Sequence, residues 1–358
     1  MSTASPHPLE PVPARAETAR KRKLWLILAP ALLVVLLLVF SLALFSHRTN
    51  PVAARPWSVA FSPDGKTLVT CGGPDAPTDG AFGEVVFWNA STGKKKRVLA
   101  QTAAVRRVVF SPDGKFVATA DFAGSTKLLD PGTGKTRAML TPHSSLVNAV
   151  AISADSKLIA GCSYDGTITL WDTAGSESAT LVLPKEKILN LAFSPDGQKL
   201  VAGCREGNAY LMDVAQHDAP KVLEAYVGPP SYWSGVEAVA FAPDGQSFMT
   251  GGMTLRLWRT DSADLIREFH RVSGARVNCL AFAPEGSAVA GVDRDGWLAL
   301  WDPETGEKIN STHAHDGPAF GLAFSPDGQR LATVCRSEFV VKIWNSQTLA
   351  LLATFHRR

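Results

Sequence analysis

The sequence predicts an all-β fold: a seven-bladed β-propeller of four-stranded antiparallel blades, preceded by one N-terminal transmembrane helix. Three observations carry this expectation. A short phrase returns seven times, as WSVAFSPDG (57–65), RVVFSPDG (107–114), AVAISADS (149–156), NLAFSPDG (190–197), AVAFAPDG (238–245), CLAFAPEG (279–286) and GLAFSPDG (321–328). A second landmark follows each copy: VVFWN (85–89), TKLLD (126–130), ITLWD (168–172), AYLMD (209–213), LRLWR (255–259), LALWD (298–302) and VKIWN (341–345). Ahead of them all, residues 24–45 pass without a charge.

The chain opens with residues 1–23, rich in Pro, Ser and Ala and without periodicity, which read as a disordered tail. The run LWLILAPALLVVLLLVFSLALF at 24–45 would span roughly 33 Å as an α-helix, enough for the hydrocarbon core of a bilayer. Arg15, Arg20, Lys21, Arg22 and Lys23 precede it, and only Arg48 and Arg55 follow closely. The positive-inside rule then leaves the N-terminus in the cytoplasm and exports the rest, giving a single-pass membrane protein with an extracytoplasmic propeller. The competing reading is a signal peptide cleaved near SLA (41–43). Its apolar core would be about 7–15 residues, shorter than this run, which favours an uncleaved anchor. Residues 46–56 are the linker to the body at 57–358.

The net charge of +3 at pH 7 resides in the tail, because beyond residue 23 cations and anions are equal in number. A neutral body gives no electrostatic reason to expect nucleic acid as the partner. Cys71, Cys162, Cys204, Cys279 and Cys335 show no CxxC spacing, and four of them end short apolar runs. They read as small buried residues of strands rather than a metal or redox site.

The residue after the Phe or Ile of the first landmark falls at 62, 111, 153, 194, 242, 283 and 325, with steps of 49, 42, 41, 48, 41 and 42. One unit, LVNAVAIS, KLIAGCS, TITLWD and ATLVLP, is four short apolar runs separated by Asp, Gly and Ser turns, a meander of antiparallel strands. SPDG supplies a preset φ at Pro, a local side-chain acceptor at Asp and a positive φ at Gly, so it closes the first hairpin. One such sheet cannot cover both of its apolar faces. Seven around an axis can, and they leave few open edges. The chain ends in ALLATF (350–355), which can serve as the last blade's own outer strand. Each blade is therefore expected to be continuous in sequence, with the ring sealed by face packing of blades one and seven.

Over residues 57–355 this organisation resembles the WD-repeat family, here in a bacterial-type, membrane-anchored form. The resemblance implies units of about 40–45 residues, each folding into one blade. It also implies a polar network bracing a blade. In blade three, His143 would pair with Asp165, and Ser163 and Trp171 would complete the chain. Blade six keeps Asp295 and Trp301 without a histidine in register. Blade seven keeps His315 and Trp344 without the aspartate, and Leu129 and Met212 stand where blades two and four would carry Trp.

Catalytic signatures fail on inspection. PGTGKT (131–136) resembles the end of a phosphate-binding loop, but Leu129 stands where that loop needs Gly and a strand follows instead of a helix. The same turn recurs as ASTGKK (90–95) and PETGEK (303–308), which marks a hairpin between third and fourth strands. Lys94, Lys95, Lys96 and Arg97 are read as a solvated hairpin tip. There is no G-x-S-x-G, HExxH or calcium loop, and neither a metal nor a small-molecule cofactor is expected.

Four residues before the first landmark's Phe or Ile lie Trp57, Arg106, Asn148, Leu189, Glu237, Asn278 and Phe320. The resemblance implies that this position rings the channel mouth and meets ligands. Two aromatics, one cation, one acid and two amides suit a peptide better than a metal. The insertion EAYVGPPSYWSG (224–235) adds Tyr226, Tyr232 and Trp233 on the same rim, where aromatics serve as binding anchors, and CGGPDAPTDGAFGE (71–84) lengthens a turn there. The expected function is a membrane-anchored, non-enzymatic scaffold binding a protein or peptide. The alternative, a propeller enzyme or ligand sensor of lactonase or peptidase-associated type, would be marked by a copurifying metal.

Overall fold

The computed structural model describes residues 55–357, apart from 75–82, 142, 184–185, 217–219, 227 and 229–234. The tail at 1–23 and the apolar run at 24–45 lie outside these residues, and among the described ones no helix is long and apolar enough to cross a membrane. The described residues form seven four-stranded sheets, each built from consecutive strands. Blade one takes residues 55–101, blade two 105–140, blade three 147–182, blade four 188–224, blade five 238–269, blade six 277–313 and blade seven 319–356. Continuity of each blade is borne out. The first strand begins at Arg55, so the last two residues of the expected linker already pair, Arg55 with Gly73 in blade one's second strand.

The first hairpin repeats one set of contacts. In blade one the Ser62 hydroxyl donates to Asp64 Oδ1 at 2.5 Å and accepts from the Thr67 amide at 2.9 Å, while the Lys66 amide donates to Asp64 at 3.0 Å. Gly65 completes the turn at a φ of 66°, which a side chain would strain. Blade three lacks the glycine, and Ser156 holds the same left-handed conformation at 60°. Its hydroxyl accepts from the Asp113 amide of blade two at 3.1 Å, a bond that offsets part of the strain.

Cores form between blades, not within them. Val59, Phe61 and Trp88 of blade one pack with Val334, Ile343 and Phe355 of blade seven, which closes the ring by face packing as expected. The outer strand of blade seven, Leu351–His356, pairs with its own sheet. The seam also carries charge. The Arg357 side chain, fully buried, donates to Glu84 Oε1 at 2.6 Å and to the Cys71 carbonyl at 3.4 Å, and Lys95 Nζ donates to the Arg357 carbonyl at 2.6 Å. Lys94, Lys95 and Lys96 of the basic cluster are exposed, as expected of a solvated tip, but three of the cluster's four side chains also reach protein acceptors. Lys95 starts the outer strand of blade one, Lys96 donates to Thr67 Oγ1 at 2.8 Å and Arg97 to the Pro131 carbonyl at 3.2 Å. PGTGKT is the hairpin turn between third and fourth strands of blade two, with Gly134 at a φ of 77°.

All five cysteines are free thiols in the core. Burial pushes the Cys71 thiol up to about 12 and raises Cys162 and Cys204 further. All five sulfurs are buried away from a reagent, so none should react with Ellman's reagent at pH 8 until the ring unfolds. A thiol titrated in the folded protein would show that a blade opens locally.

The bracing network differs from the expected one in three blades. In blade three His143 does meet Asp165, Nδ1 to Oδ2 at 3.4 Å, but Ser163 spends its hydroxyl on the Asp165 amide at 3.1 Å and does not bridge to Trp171. The bridging place belongs to Gly161, where a Cβ would stand 2.9 Å from the Trp171 ring. His143 Nε2 has no hydrogen-bond partner among the described residues, and Trp171 meets the imidazole edge-on at 5.8 Å. In blade six Asp295 is exposed. Asp293 is the buried acid instead, accepting from the Ser273 hydroxyl at 2.7 Å and the Trp297 amide at 2.8 Å, while Trp301 donates to the His270 carbonyl at 3.0 Å.

Blade seven, expected to be incomplete, holds the full chain. Trp344 Nε1 donates to Thr333 Oγ1 at 2.8 Å, Thr333 Oγ1 meets His315 Nε2 at 2.8 Å, and His315 Nδ1 meets Glu338 Oε2 at 2.6 Å. Glu338 supplies the acid and Thr333 the hydroxyl. Burial lowers the His315 pKa, and the neutral tautomer with hydrogen on Nδ1 satisfies every member at once.

Candidate functional site

Each inner strand starts at the same rim, so the residue at its head is carried to the channel mouth. All seven predicted ring residues, Trp57, Arg106, Asn148, Leu189, Glu237, Asn278 and Phe320, line one pocket. They do not act alike. Asn148 Nδ2 donates to the Ile188 carbonyl of blade four at 2.6 Å, and Asn278 Nδ2 to the Ala319 carbonyl of blade seven at 2.8 Å. Leu189 is buried. The two amides tie blade to blade. Asn190, which sequence reasoning passed over, does the same by donating to the Glu237 carbonyl at 3.0 Å.

The other four build the mouth. The Trp57 ring has the Arg106 guanidinium 4.2 Å from its centre and that of Arg336 at 4.3 Å, and Phe320 lies 5.1 Å away, tilted by 53°. Cation–π pairs of this kind hold planar groups in register where water is scarce. Glu237 forms an ion pair with Arg276 at 2.5 Å, both side chains about nine-tenths covered. The Trp57 indole N–H and Asn278 Oδ1 are among the buried polar atoms here that lack a hydrogen-bond partner among the described residues. The cavity enclosed is about 30 Å³, room for about two waters.

Arg107 divides the channel. From blade two it reaches across to blade six, its Nη1 3.9 Å from Cys279 Sγ. It lines both the mouth and a second cavity of about 370 Å³ beyond it, walled by Phe61, Val109, Phe282 and Phe324. Arg107, Arg276 and Arg336 were not read from the sequence. Arg336 carried a usable signal, since its turn between second and third strands of blade seven shares the rim. Tyr232 and Trp233 lie outside the described residues, and Tyr226 is half-buried at the edge of that insertion.

His315, Cys335 and Glu338 bring ligating atoms within 4.8 Å of one another. Both ring nitrogens of His315 are already engaged by Glu338 and Thr333, so the cluster reads as bracing.

A family model described as WD domain, G-beta repeat matches residues 39–76, 93–130, 134–172, 175–213, 264–302 and 306–345, together more than half of the chain. The chain belongs to the WD-repeat family. From the second match onward each WD repeat opens with the outer strand of one blade and ends with the third strand of the next, so repeat and blade are offset by one strand. The first three strands of blade five fall outside the matches, and Arg259 stands there where other blades carry Asp or Asn. WD repeat-containing protein 1 of Xenopus tropicalis is 35% identical over 83 residues, 22% of this chain and 14% of that protein. WD repeat-containing protein VIP3 of Arabidopsis thaliana is 29% identical over 126 residues, 35% of this chain and 39% of that one. The chain thus spans well under half the length of either relative. A chain of the structure titled Crystal Structure of Mitotic Checkpoint Complex shares the fold, with a TM-score of 0.70 over 80% of this chain and 86% of that chain at 21% identity.

Proposed function

We propose that this WD-repeat propeller is a non-catalytic scaffold that binds a protein or peptide segment at the channel mouth. In this reading the apolar run at 24–45 anchors it as a single-pass membrane protein with the propeller outside the cytoplasm. One observation carries the binding surface: Trp57, Phe320, Arg106 and Arg336 stack at the mouth beside the buried Trp57 N–H and Asn278 Oδ1, which lack partners among the described residues. Orphaned polar groups cost stability unless a ligand or water supplies the bond, and aromatic and arginine side chains are the usual anchors of interfaces. The similar fold within the mitotic checkpoint complex is itself, by its title, part of an assembly.

The test places a photocrosslinking amino acid at Phe320 on the mouth or at exposed Gln198 on the opposite face, in native membranes. Protein adducts should form from position 320 and not from 198. Adducts from 198 alone would move the binding surface to the other face and defeat this reading. Alkaline carbonate should leave the full chain with the membrane, and its release would remove the anchor.

A further inference from the structure

The charges on the channel axis are unbalanced. Arg106 and Arg107 are adjacent, and neither has a carboxylate within ion-pair distance among the described residues. The one acid of the ring, Glu237, is already paired with Arg276. Among the described residues the Arg107 guanidinium has one hydrogen-bond contact, the Cys279 sulfur, a weak and neutral acceptor. Arg106 is stacked on Trp57 and Phe320, and its N–H edge has no fixed acceptor among the described residues. Burial lowers the pKa of Arg106 and pushes Arg336 down to about 10, where Arg55 adds repulsion, so like charges crowd this half-buried rim.

The Trp57 indole and Asn278 Oδ1 add a pattern to this charge. The Trp57 indole offers a donor and Asn278 Oδ1 an acceptor, in side chains only 7% and 6% exposed. A bare anion has acceptors only and would leave Asn278 unsatisfied. A peptide bearing a carboxylate has both kinds of group.

We infer that the mouth takes an acidic peptide segment, its carboxylate on Arg106 and Arg107 with the Trp57 indole as a further donor, and a backbone N–H of the segment on Asn278 Oδ1. This rests on the scaffold reading and names the chemistry of the partner. A carboxylate has three heavy atoms and would displace the roughly two waters that the mouth can hold. Arg107 is the floor of the site, because it closes the channel towards the wider cavity below.

The experiment measures fluorescence anisotropy of fluorescein-labelled hexaglutamate and hexalysine against the full chain in detergent at 50 mM salt, with inorganic phosphate and acetate as competitors. Hexaglutamate should bind and hexalysine should not. R107Q and R106Q should each weaken hexaglutamate binding about tenfold, the usual cost of losing a hydrogen bond to a charged group. Q198A on the opposite face should leave it unchanged. If R107Q folds poorly by thermal melt, R106Q carries the same expectation alone. Absence of hexaglutamate binding, or wild-type affinity in R106Q, overturns the inference. Displacement by phosphate at far lower concentration than by acetate would also overturn it, by showing a site for a free phosphate group. Crosslinks from position 320 together with no hexaglutamate binding would sink this inference and leave the scaffold reading standing.

Discussion

Arg357→Ala is expected to lower the unfolding free energy by about 3 kcal/mol, at the low end of what breaking a buried ion pair costs. The side chain is fully buried, while its partner Glu84 keeps about a fifth of its surface exposed, and this solvent access argues for the low end. The loss would act at the ring's only junction without a covalent link, where blade one must hold blade seven by packing and by this latch. Truncation leaves the Glu84 carboxylate and the Cys71 carbonyl facing a hole. Urea denaturation of R357A, E84A and the double variant measures the coupling directly. The double variant should be less destabilised than the two singles added together. A midpoint for R357A equal to that of the wild type would mean that the apolar seam of Phe61, Trp88, Ile343 and Phe355 closes the ring by itself.

That latch shows where sequence reading stops. The sheets were legible because strand alternation and turn chemistry are local: Ser62, Asp64 and Gly65 satisfy one another within a few residues. The seven ring residues were legible for the same reason, since a fixed offset from each turn carries them to one rim. What each does there was not. Asn148 and Asn278 donate to the next blade's carbonyls, and nothing in their own strands distinguishes such struts from ligand contacts. Arg107 meets Cys279 only once the ring closes, across 172 positions of sequence. The Arg357–Glu84 pair spans 273.

The mouth itself joins two demands on the same residues. Trp57 is a core residue by burial and an anchor by position, with rings of two neighbouring blades around it, Phe122 at 6.1 Å and Phe320 at 5.1 Å. Its removal would therefore loosen packing and binding together, which is why Phe320, Arg106 and Arg107 are the better probes of function.

Thr333→Val is the other change with a large expected effect, again about 3 kcal/mol, although it keeps the shape of the side chain. Its hydroxyl is the sole link between two buried groups: it accepts from Trp344 Nε1 and donates to His315 Nε2. Removing it strands both, and each buried unsatisfied group costs about 1–3 kcal/mol. Sequence reading named His315 and Trp344 but missed the two members that complete the chain, because the acid is a glutamate, Glu338, and the hydroxyl a threonine. Ser163→Ala in blade three provides the contrast. There, among the described residues, the hydroxyl takes only the Asp165 amide and His143 Nε2 already lacks a partner, so the loss should be about 1 kcal/mol. Urea midpoints of the two variants measured side by side decide the matter. Equal losses would mean that the blade-seven chain contributes no more than one ordinary hydrogen bond, and that apolar packing between the blades, not the network, fixes His315 and Trp344 in place.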